Sequence, residues 1–387
     1  MTIRKKAEGK PKRLFKTLYP FDRRLFWLIL LLILFGSAMV ISASYAYAQT
    51  RFGDHFYFAK KQILWAAVGI GVMLLISRAP SSAVYRAAPF FFGAVMLLLA
   101  LVPLIGAEAG GAKRWIAIGG FTFQPSELAK CALILILARY FTDKANAVFD
   151  RKQRSRRFLY GFLIPFGIIA VVCGLVVLEK HLSCTVILFA MGLFMMLLGG
   201  TSVKLLGGLC VGGGTAVAIF AMAVEYTRRR IVIWRNPELY PTDGGWQTLQ
   251  GLMAIGSGGF WGLGFGESRL KYMYVSEPQN DFIFTIVCEE LGFLGALAAL
   301  GLFALFVWRG VTVALSAKDT FSRLVALGLV GKVALQVILN IGVVTNLLPN
   351  TGISLPFFSY GGSSLAVLFA EMGLLLSISR EALCAHT

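Results

Sequence analysis

The sequence predicts an all-α integral membrane protein with about ten transmembrane helices and a large extracytoplasmic loop between helices 7 and 8. Three observations predict it. The 387 residues are 57% hydrophobic and only 14% charged, against roughly 25% charged in soluble domains. The apolar residues gather in ten runs, each near the roughly 20 residues a helix needs to cross the hydrocarbon. The runs lack the apolar–polar alternation of a closed barrel, which leaves helices.

The first 24 residues form a basic tail with Arg4, Lys5, Lys6, Lys10, Lys12, Arg13, Lys16, Arg23 and Arg24. The first run, 25–45, ends near Ala46-Tyr47-Ala48, which mimics a signal-peptidase site. The run is too long for the usual h-region of about 7–15 residues, so it reads as an uncleaved anchor. The other runs lie at 62–78, 88–106, 126–142, 158–178, 183–199, 203–224, 281–308, 323–342 and 361–379. Residues 25–380 read as a single transmembrane domain and 381–387 as a short tail.

Lysine and arginine set the orientation. The N-terminal tail, the loop after the fourth run (Lys144, Arg151, Lys152, Arg154, Arg156, Arg157) and Arg380 fall on one side if all ten runs cross. That side is the cytoplasm, with both termini in it. The net charge of +18 then reflects topology and lipid headgroups, and nucleic acid is excluded as a partner. The six cysteines are scattered without metal-ligand spacing and read as buried thiols. His55, His181 and His386 are too far apart in sequence to suggest a metal site.

The outer side carries 107–125, 225–280 and 343–360, with several acids and tryptophans. Arg228-Arg229-Arg230 opens the longest of these against the positive-inside pattern, as an anion-binding feature or a simple exception. Residues 246–253 read as an interfacial amphipathic helix. The glycine-dense stretch 256–266 permits tight turns and close backbone approach. It is no P-loop, because Gly-Lys-Ser/Thr does not follow it, and no strand precedes it as a dinucleotide fingerprint requires.

Chemistry concentrates in Ser276–Glu290. Asp281, at the lip of an apolar run, is either an N-cap that complements the helix dipole or a general base or cation ligand at the outer surface. Glu289, eight residues on, is about 12 Å deeper in a helix and cannot share a substrate atom with it. Glu289, Glu290 and Glu371 are expected to pair with other helices, as intramembrane acids do. Gln124-Pro125-Ser126-Glu127-Leu128-Ala129-Lys130 opens the fourth run, where Glu127 and Lys130 share a helix face. They form a structural ion pair or, with Asp281, a polar cavity. Lys61 could join them as a phosphate partner. Residues 349–364 make a polar, kinked entry to the last run, which is tolerated where backbone lines a cavity or is buried in protein.

Several motifs now coincide. Gly-Ala-Lys-Arg-Trp-Ile (111–116), Phe-Gln-Pro-Ser-Glu-Leu-Ala-Lys (123–130), Ala-Ile-Gly-Ser-Gly-Gly-Phe-Trp-Gly-Leu-Gly (254–264), Asp-Phe-Ile-Phe (281–284), Glu-Glu-Leu-Gly (289–292) and Leu-Pro-Phe-Phe-Ser-Tyr-Gly-Gly-Ser-Ser (355–364) together resemble the SEDS family (shape, elongation, division and sporulation). Glu267-Ser268-Arg269-Leu270-Lys271 and Glu277-Pro278-Gln279 resemble its division and sporulation branch, FtsW and SpoVE, more than RodA.

The resemblance implies a ten-helix peptidoglycan glycosyltransferase of the bacterial cytoplasmic membrane. Such proteins polymerise lipid II at the outer face with a class B penicillin-binding protein and other divisome or sporulation membrane proteins. The family's essential aspartate falls on Asp281, its fourth-helix Glu and Lys on Glu127 and Lys130, and its basic residue before the second helix on Lys61. Asp281 would take the acceptor hydroxyl's proton, or position that hydroxyl directly or through a divalent cation (Mg2+ or Mn2+). Lys61, Lys130 and the outer arginines Arg114 and Arg269 would neutralise the leaving diphosphate. Three departures stand out. Glu179-Lys180-His181-Leu182-Ser183-Cys184-Thr185 replaces a common Gln/Glu-Pro-Asp-Leu-Gly-Thr. Asn350 stands where Pro or Val is common, and Glu371 where a small apolar residue is. A lipid II flippase and a non-catalytic septal scaffold are the rival functions.

Overall fold

The computed structural model describes residues 21–385, apart from 110–111, 119–120, 151–152, 180, 224, 241–244, 273 and 275–276. The first 20 residues of the basic tail and Lys180 therefore lie outside the described residues. Helices occupy all ten predicted runs. They are α1 (Arg23–Phe52), α2 (Tyr57–Ile76), α3 (Ser81–Ile105), α4 (Pro125–Asp143), the short α5 (Ala145–Phe149) and α6 (Arg154–Phe158), α7 (Ile164–Leu178), α8 (Leu182–Leu198) and α9 (Val203–Ala223). After them come α10 (Glu225–Arg235), α11 (Gly245–Ser257), α12 (Ile283–Leu315), α13 (Thr320–Val344) and α14 (Gly362–Ala385). A π-helical turn, Leu159–Leu163, fuses α6 to α7.

Seven helices among the described residues are long and apolar enough to cross a membrane: α1, α2, α3, the fused α6–α7, α12, α13 and α14. The protein is thus a multi-pass membrane protein. Leu182–Leu198 in α8 and Val203–Gly213 in α9 are shorter apolar helices. In α4, Glu127, Lys130, Arg139 and Asp143 interrupt the apolar surface. Buried charges in a membrane helix face the bundle, and α4 does place Glu127 and Lys130 inward.

Side-chain contacts tie together the ends of alternate helices, as up-and-down packing requires. At one end Asp22 binds Arg309 and receives the bond from its own Leu25 amide, while its amide donates to Ser379 Oγ. There, too, Glu381 accepts from Ser81 and Tyr85 donates to Asp143. At the other end His181 meets the start of α4, and Phe58 of α2 packs edge-on against Tyr360. The segments that carry the candidate chemistry all lie at this second end.

Residues 107–123 add a feature the sequence reading did not include: a three-stranded antiparallel sheet, β1 (Ala107–Ala109), β2 (Ala112–Ile118) and β3 (Phe121–Phe123), ordered β1-β2-β3. Ala117 faces Thr122 and Ala107 faces Trp115, with a bulge after Ala107. Arg114 and Ile116 share a face of β2, and Ile116 is buried.

The run expected as one helix over 281–308 is broken. Gly292 adopts φ 65° and ψ −163° inside α12. The break frees backbone groups at Glu289, Glu290, Phe293 and Leu294, and the glycine-dense loop satisfies them. Leu263 and Gly264 donate to the carbonyls of Glu289 and Glu290, while Phe293 and Leu294 donate to those of Gly259 and Phe260. This explains the glycines. A Cβ on Gly262 would come within 2.6 Å of Gly292 N, and one on Gly292 within 2.7 Å of Phe260 O. Irregular backbone here is buried in protein and internally bonded, as the membrane demands.

Glu289 and Glu290 are buried, but their partners lie mainly in the loop before α12 rather than on other helices. Glu289 accepts from Ser268 Oγ at 2.5 Å and from the Arg269 amide at 3.0 Å. Glu290 accepts from Lys271 Nζ at 3.0 Å and from Ser42 of α1 at 2.7 Å. Both acids thus anchor loop 268–271 and have a structural duty. The stretch expected as an interfacial helix is α11, whose Gly251 packs against Phe282 and Thr285 at the start of α12. Its Trp246 and Met253 remain exposed. No disulfide forms among the described cysteines.

Candidate active site

Asp281 sits one residue before the N-cap of α12. That cap is Phe282, and no side chain caps the free amides of the first turn. The N-cap role expected as one alternative for Asp281 is therefore not taken up. Its carboxylate is left for other work.

The aspartate is held through its backbone. Asn340 Nδ2 on α13 donates to Asp281 O at 2.8 Å and to Ile353 O at 2.6 Å. Ser359 Oγ donates to Asn280 O at 2.8 Å, and the Tyr360 amide to Gln279 O at 2.8 Å. Residues 279–281 are thus laced to the kinked segment that precedes α14. Gly352 is in the left-handed region at φ 68°, and a Cβ there would lie 3.0 Å from Asp281 Oδ2. Glycine lets this segment pass beside the carboxylate.

Burial, and secondarily the charge of Glu277, pushes the Asp281 carboxyl up to about 6. A base poised near neutrality suits proton transfer. Glu277 is itself steered by Asn280 Nδ2 at 2.8 Å. Around Asp281 the buried amide oxygens of Gln279, Asn280 and Asn340 have no donor, so the neighbourhood is rich in acceptors.

Beside this segment lies a small polar cleft with a cavity volume of about 20 Å³, whose lining includes Glu127, Lys332, Gln336, Ser354, Ser359 and Ser364. Ser359 belongs both to the cleft and to the brace on Asn280. Glu127 accepts from Lys130 Nζ at 2.7 Å, with the lysine side chain 2% exposed and the glutamate 12%. The cleft therefore brings Glu127 to the segment that braces Asp281, and Lys130 stands behind Glu127.

The other predicted residues lie around this centre. Lys61 is exposed on α2 and bonds Tyr57 OH at 2.5 Å. Phe58, beside Tyr57, packs on Tyr360 at a centroid distance of 4.8 Å. Arg114 lies on the far side of α4, its Nε 3.4 Å from Glu179 O. Arg269 is exposed, and its bond to Glu289 uses its backbone amide. The turn 179–184 also meets α4, with His181 Nδ1 3.2 Å from Gln124 Nε2 and 3.4 Å from Ser126 Oγ. Burial and Arg114 lower His181 to about 4, so it is neutral, while burial raises Glu179 to about 7.

Lys332 was missed by the sequence reading. It is the partner of Glu371, with its Nζ 2.6 and 2.7 Å from the two carboxylate oxygens. The signal was present, since a lysine inside an apolar run is a functional candidate. Gln336 and Asn340 follow it at intervals of four residues, one helix face at a time. Among the described residues no group of three or more His, Cys, Asp or Glu could hold a metal ion.

The family model described as "Cell cycle protein" (FtsW, RodA, SpoVE) matches residues 23–383. The chain belongs to the FtsW/RodA/SpoVE family. It is 37% identical over 365 residues to stage V sporulation protein E of Bacillus subtilis, covering 93% of this chain and 97% of that protein. It is 36% identical to a probable peptidoglycan glycosyltransferase FtsW of a Geobacter species, covering 93% and 96%. Its fold matches a chain from a study of the structural coordination of polymerization and crosslinking by a peptidoglycan synthase complex, with a TM-score of 0.78, 26% identity and coverage of 94% and 98%. The rod shape determining protein RodA of Thermus thermophilus matches at a TM-score of 0.67 and 27% identity, covering 93% and 97%. As a member of this family, the chain has the RodA-like helical fold.

Proposed function

We propose that this protein is a peptidoglycan glycosyltransferase that polymerises lipid II at the outer face of the bacterial cytoplasmic membrane, in cell division or sporulation. The observation that carries the reading is the Asp281 carboxylate, held by its backbone, raised to about 6 and set against the segment that lines a cleft with Glu127. The curated relatives named as glycosyltransferases support the same activity.

In the reaction the acceptor sugar hydroxyl attacks the anomeric carbon of the lipid-linked donor. A carbon–oxygen bond forms to the acceptor, and the bond to the diphosphate breaks. The hydroxyl proton goes to Asp281, and the polyprenyl diphosphate leaves with the bonding electrons. Glu127 lies in the cleft to orient substrate, with Lys130 as its ion-pair partner. Lys61 contributes positive potential near the site, where electrostatic stabilisation of the leaving group is worth most when water is excluded, and Arg114 contributes from beside Glu179. Arg269 contributes as a more distant surface charge.

A divalent cation fits the acceptor-rich surroundings of Asp281. Mg2+ takes oxygen ligands, often one or two carboxylates with substrate phosphates, and Asp281 with the donor-less amide oxygens of Gln279 and Asn280 offers such a set. When bound it would supply charge neutralisation of the diphosphate. Residues 25–380 act as one domain with ten crossings and both termini in the cytoplasm. The partner is a class B penicillin-binding protein, in keeping with the synthase complex whose chain shares this fold.

Purified protein with its partner should convert lipid II into glycan strands. Lipid II movement across proteoliposomes without strand formation would identify a flippase instead. Neither activity, with division or sporulation still dependent on the folded chain, would identify a scaffold.

A further inference from the structure

Lys130 is the lysine the sequence offers for an anionic substrate, yet it does not line the cleft. Of the residues that line it, Lys332 is the one cation. Its side chain is 2% exposed and that of Glu371 is not exposed at all. Both Glu371 oxygens are taken up by Lys332 at 2.7 and 2.6 Å. An ammonium has three donors, so two are committed to Glu371 and one remains for the cleft. Glu371 therefore orients the lysine and has no direct reach to a ligand.

The vertical order of the groups is informative. Lys332, Gln336 and Asn340 lie on one face of α13 at intervals of four residues. Lys332 and Gln336 line the cleft, and Asn340 holds the Asp281 backbone. From Lys332 to Asn340 is about 12 Å along the helix. Along α13 the Asp281 residue thus lies at the level of Asn340, and the Lys332 ammonium about two turns away shares the cleft with the Gln336 amide, the Ser354 hydroxyl and the Glu127 carboxylate. A lipid-linked sugar diphosphate is built in the same order, with sugar outermost, anionic diphosphate next and polyprenyl tail deepest.

We propose that Lys332, oriented by Glu371, is the cationic binding residue for the diphosphate of a polyprenyl-linked substrate, a proposal that rests on the glycosyl-transfer reading above. Lys332 binds and Glu371 is a positioning residue. The alternative is a bridge that only pins α13 to α14.

Two double variants separate these roles, because either single change leaves a buried charge without its partner. Lys332→Met with Glu371→Ala removes both charges. Lys332→Glu with Glu371→Lys keeps the bridge and reverses the charge facing the cleft. The probes are geranylgeranyl diphosphate and uncharged geranylgeraniol, titrated into the detergent-purified full chain, with thermal melting as the fold control. In the neutral variant the diphosphate Kd should rise about tenfold or more, in the reversed variant binding should be lost, and geranylgeraniol affinity should not change in either. The KM for lipid II should rise in parallel in the neutral variant.

Wild-type diphosphate affinity in a folded double variant would overturn the proposal, as would a wild-type protein that does not prefer the diphosphate to the alcohol. If the reversed pair does not fold, the neutral pair alone decides between a binding lysine and a bridge. Binding is read without turnover. Diphosphate binding that depends on Lys332, in a protein that makes no glycan strands, would therefore reject the polymerase reading and leave this site standing.

Discussion

Replacing Asp281 with asparagine should stabilise the fold at neutral pH while it abolishes activity. Burial and Glu277 hold this carboxyl at about 6 in place of the ordinary 3.8. Each tenfold in proton affinity is ~1.4 kcal/mol, so the ionised aspartate destabilises the folded protein by about 3 kcal/mol above pH 6. The sign follows from an acid whose folded value is raised. Protonated Asp281 is favoured on folding, and this contribution is lost as pH rises from 3.8 through 6. Asparagine is nearly isosteric and carries no charge, so it removes the penalty. Thermal melting in detergent with EDTA should show the variant more stable at pH 7.5, by a few degrees. The gain should shrink through pH 5 and vanish near pH 3.8. An unchanged melting temperature at pH 7.5, or a gain equally large at pH 3.8, would refute the claim that burial of this charge is what tunes the site.

The same titration should appear in turnover, with kcat/KM falling about tenfold per pH unit below an apparent value near 6; a pH-independent rate between 4.5 and 7.5 would speak against Asp281 as the base. Gly352→Ala strains a residue at φ 68° and crowds Asp281 Oδ2 at 3.0 Å, so activity should fall about 10²-fold, as misplacement of a catalytic group by 1 Å can cause, with little loss of thermal stability. Lys271→Met leaves Glu290 buried without its cation, the pair being 2% and 0% exposed, and should destabilise by about 3–5 kcal/mol, seen as lower detergent melting and faster proteolysis between residues 258 and 280.

Much of the fold was legible because each bilayer crossing must be a long apolar run; helices occupy the ten predicted runs, and seven described helices are long and apolar enough to cross. The runs could not show where a helix breaks. Gly292 looks like any glycine in a membrane helix until Gly259, Gly262 and Gly264 come to meet it across 30 residues of chain. The same distance hid the partners of Glu289 and Glu290, which sit in the loop before them. The sheet at 107–123 was masked by its brevity, since three-residue strands carry no usable alternation.

In the site, Asp281 and the Glu127–Lys130 pair were readable as charges at helix entrances. Their supports were not. Asn340 acts through its amide on two carbonyls from distant segments, and Ser359 Oγ accepts from the Leu355 amide of its own turn while it donates to Asn280 O. Nothing in residue type marks an asparagine or serine for that work. Glu371 was noticed and its partner Lys332 was not, although both obey one rule: a charge inside a membrane protein needs an opposite charge within reach.

The most direct measurement is the rate of glycan strand synthesis from labelled lipid II by the purified protein with its partner, wild type beside Asp281→Asn, at saturating substrate. A base at 281 predicts long strands from the wild type and a rate lower by about 10²–10⁴ in the variant, with melting and lipid II binding retained. Strands formed by folded Asp281→Asn at the wild-type rate would contradict it.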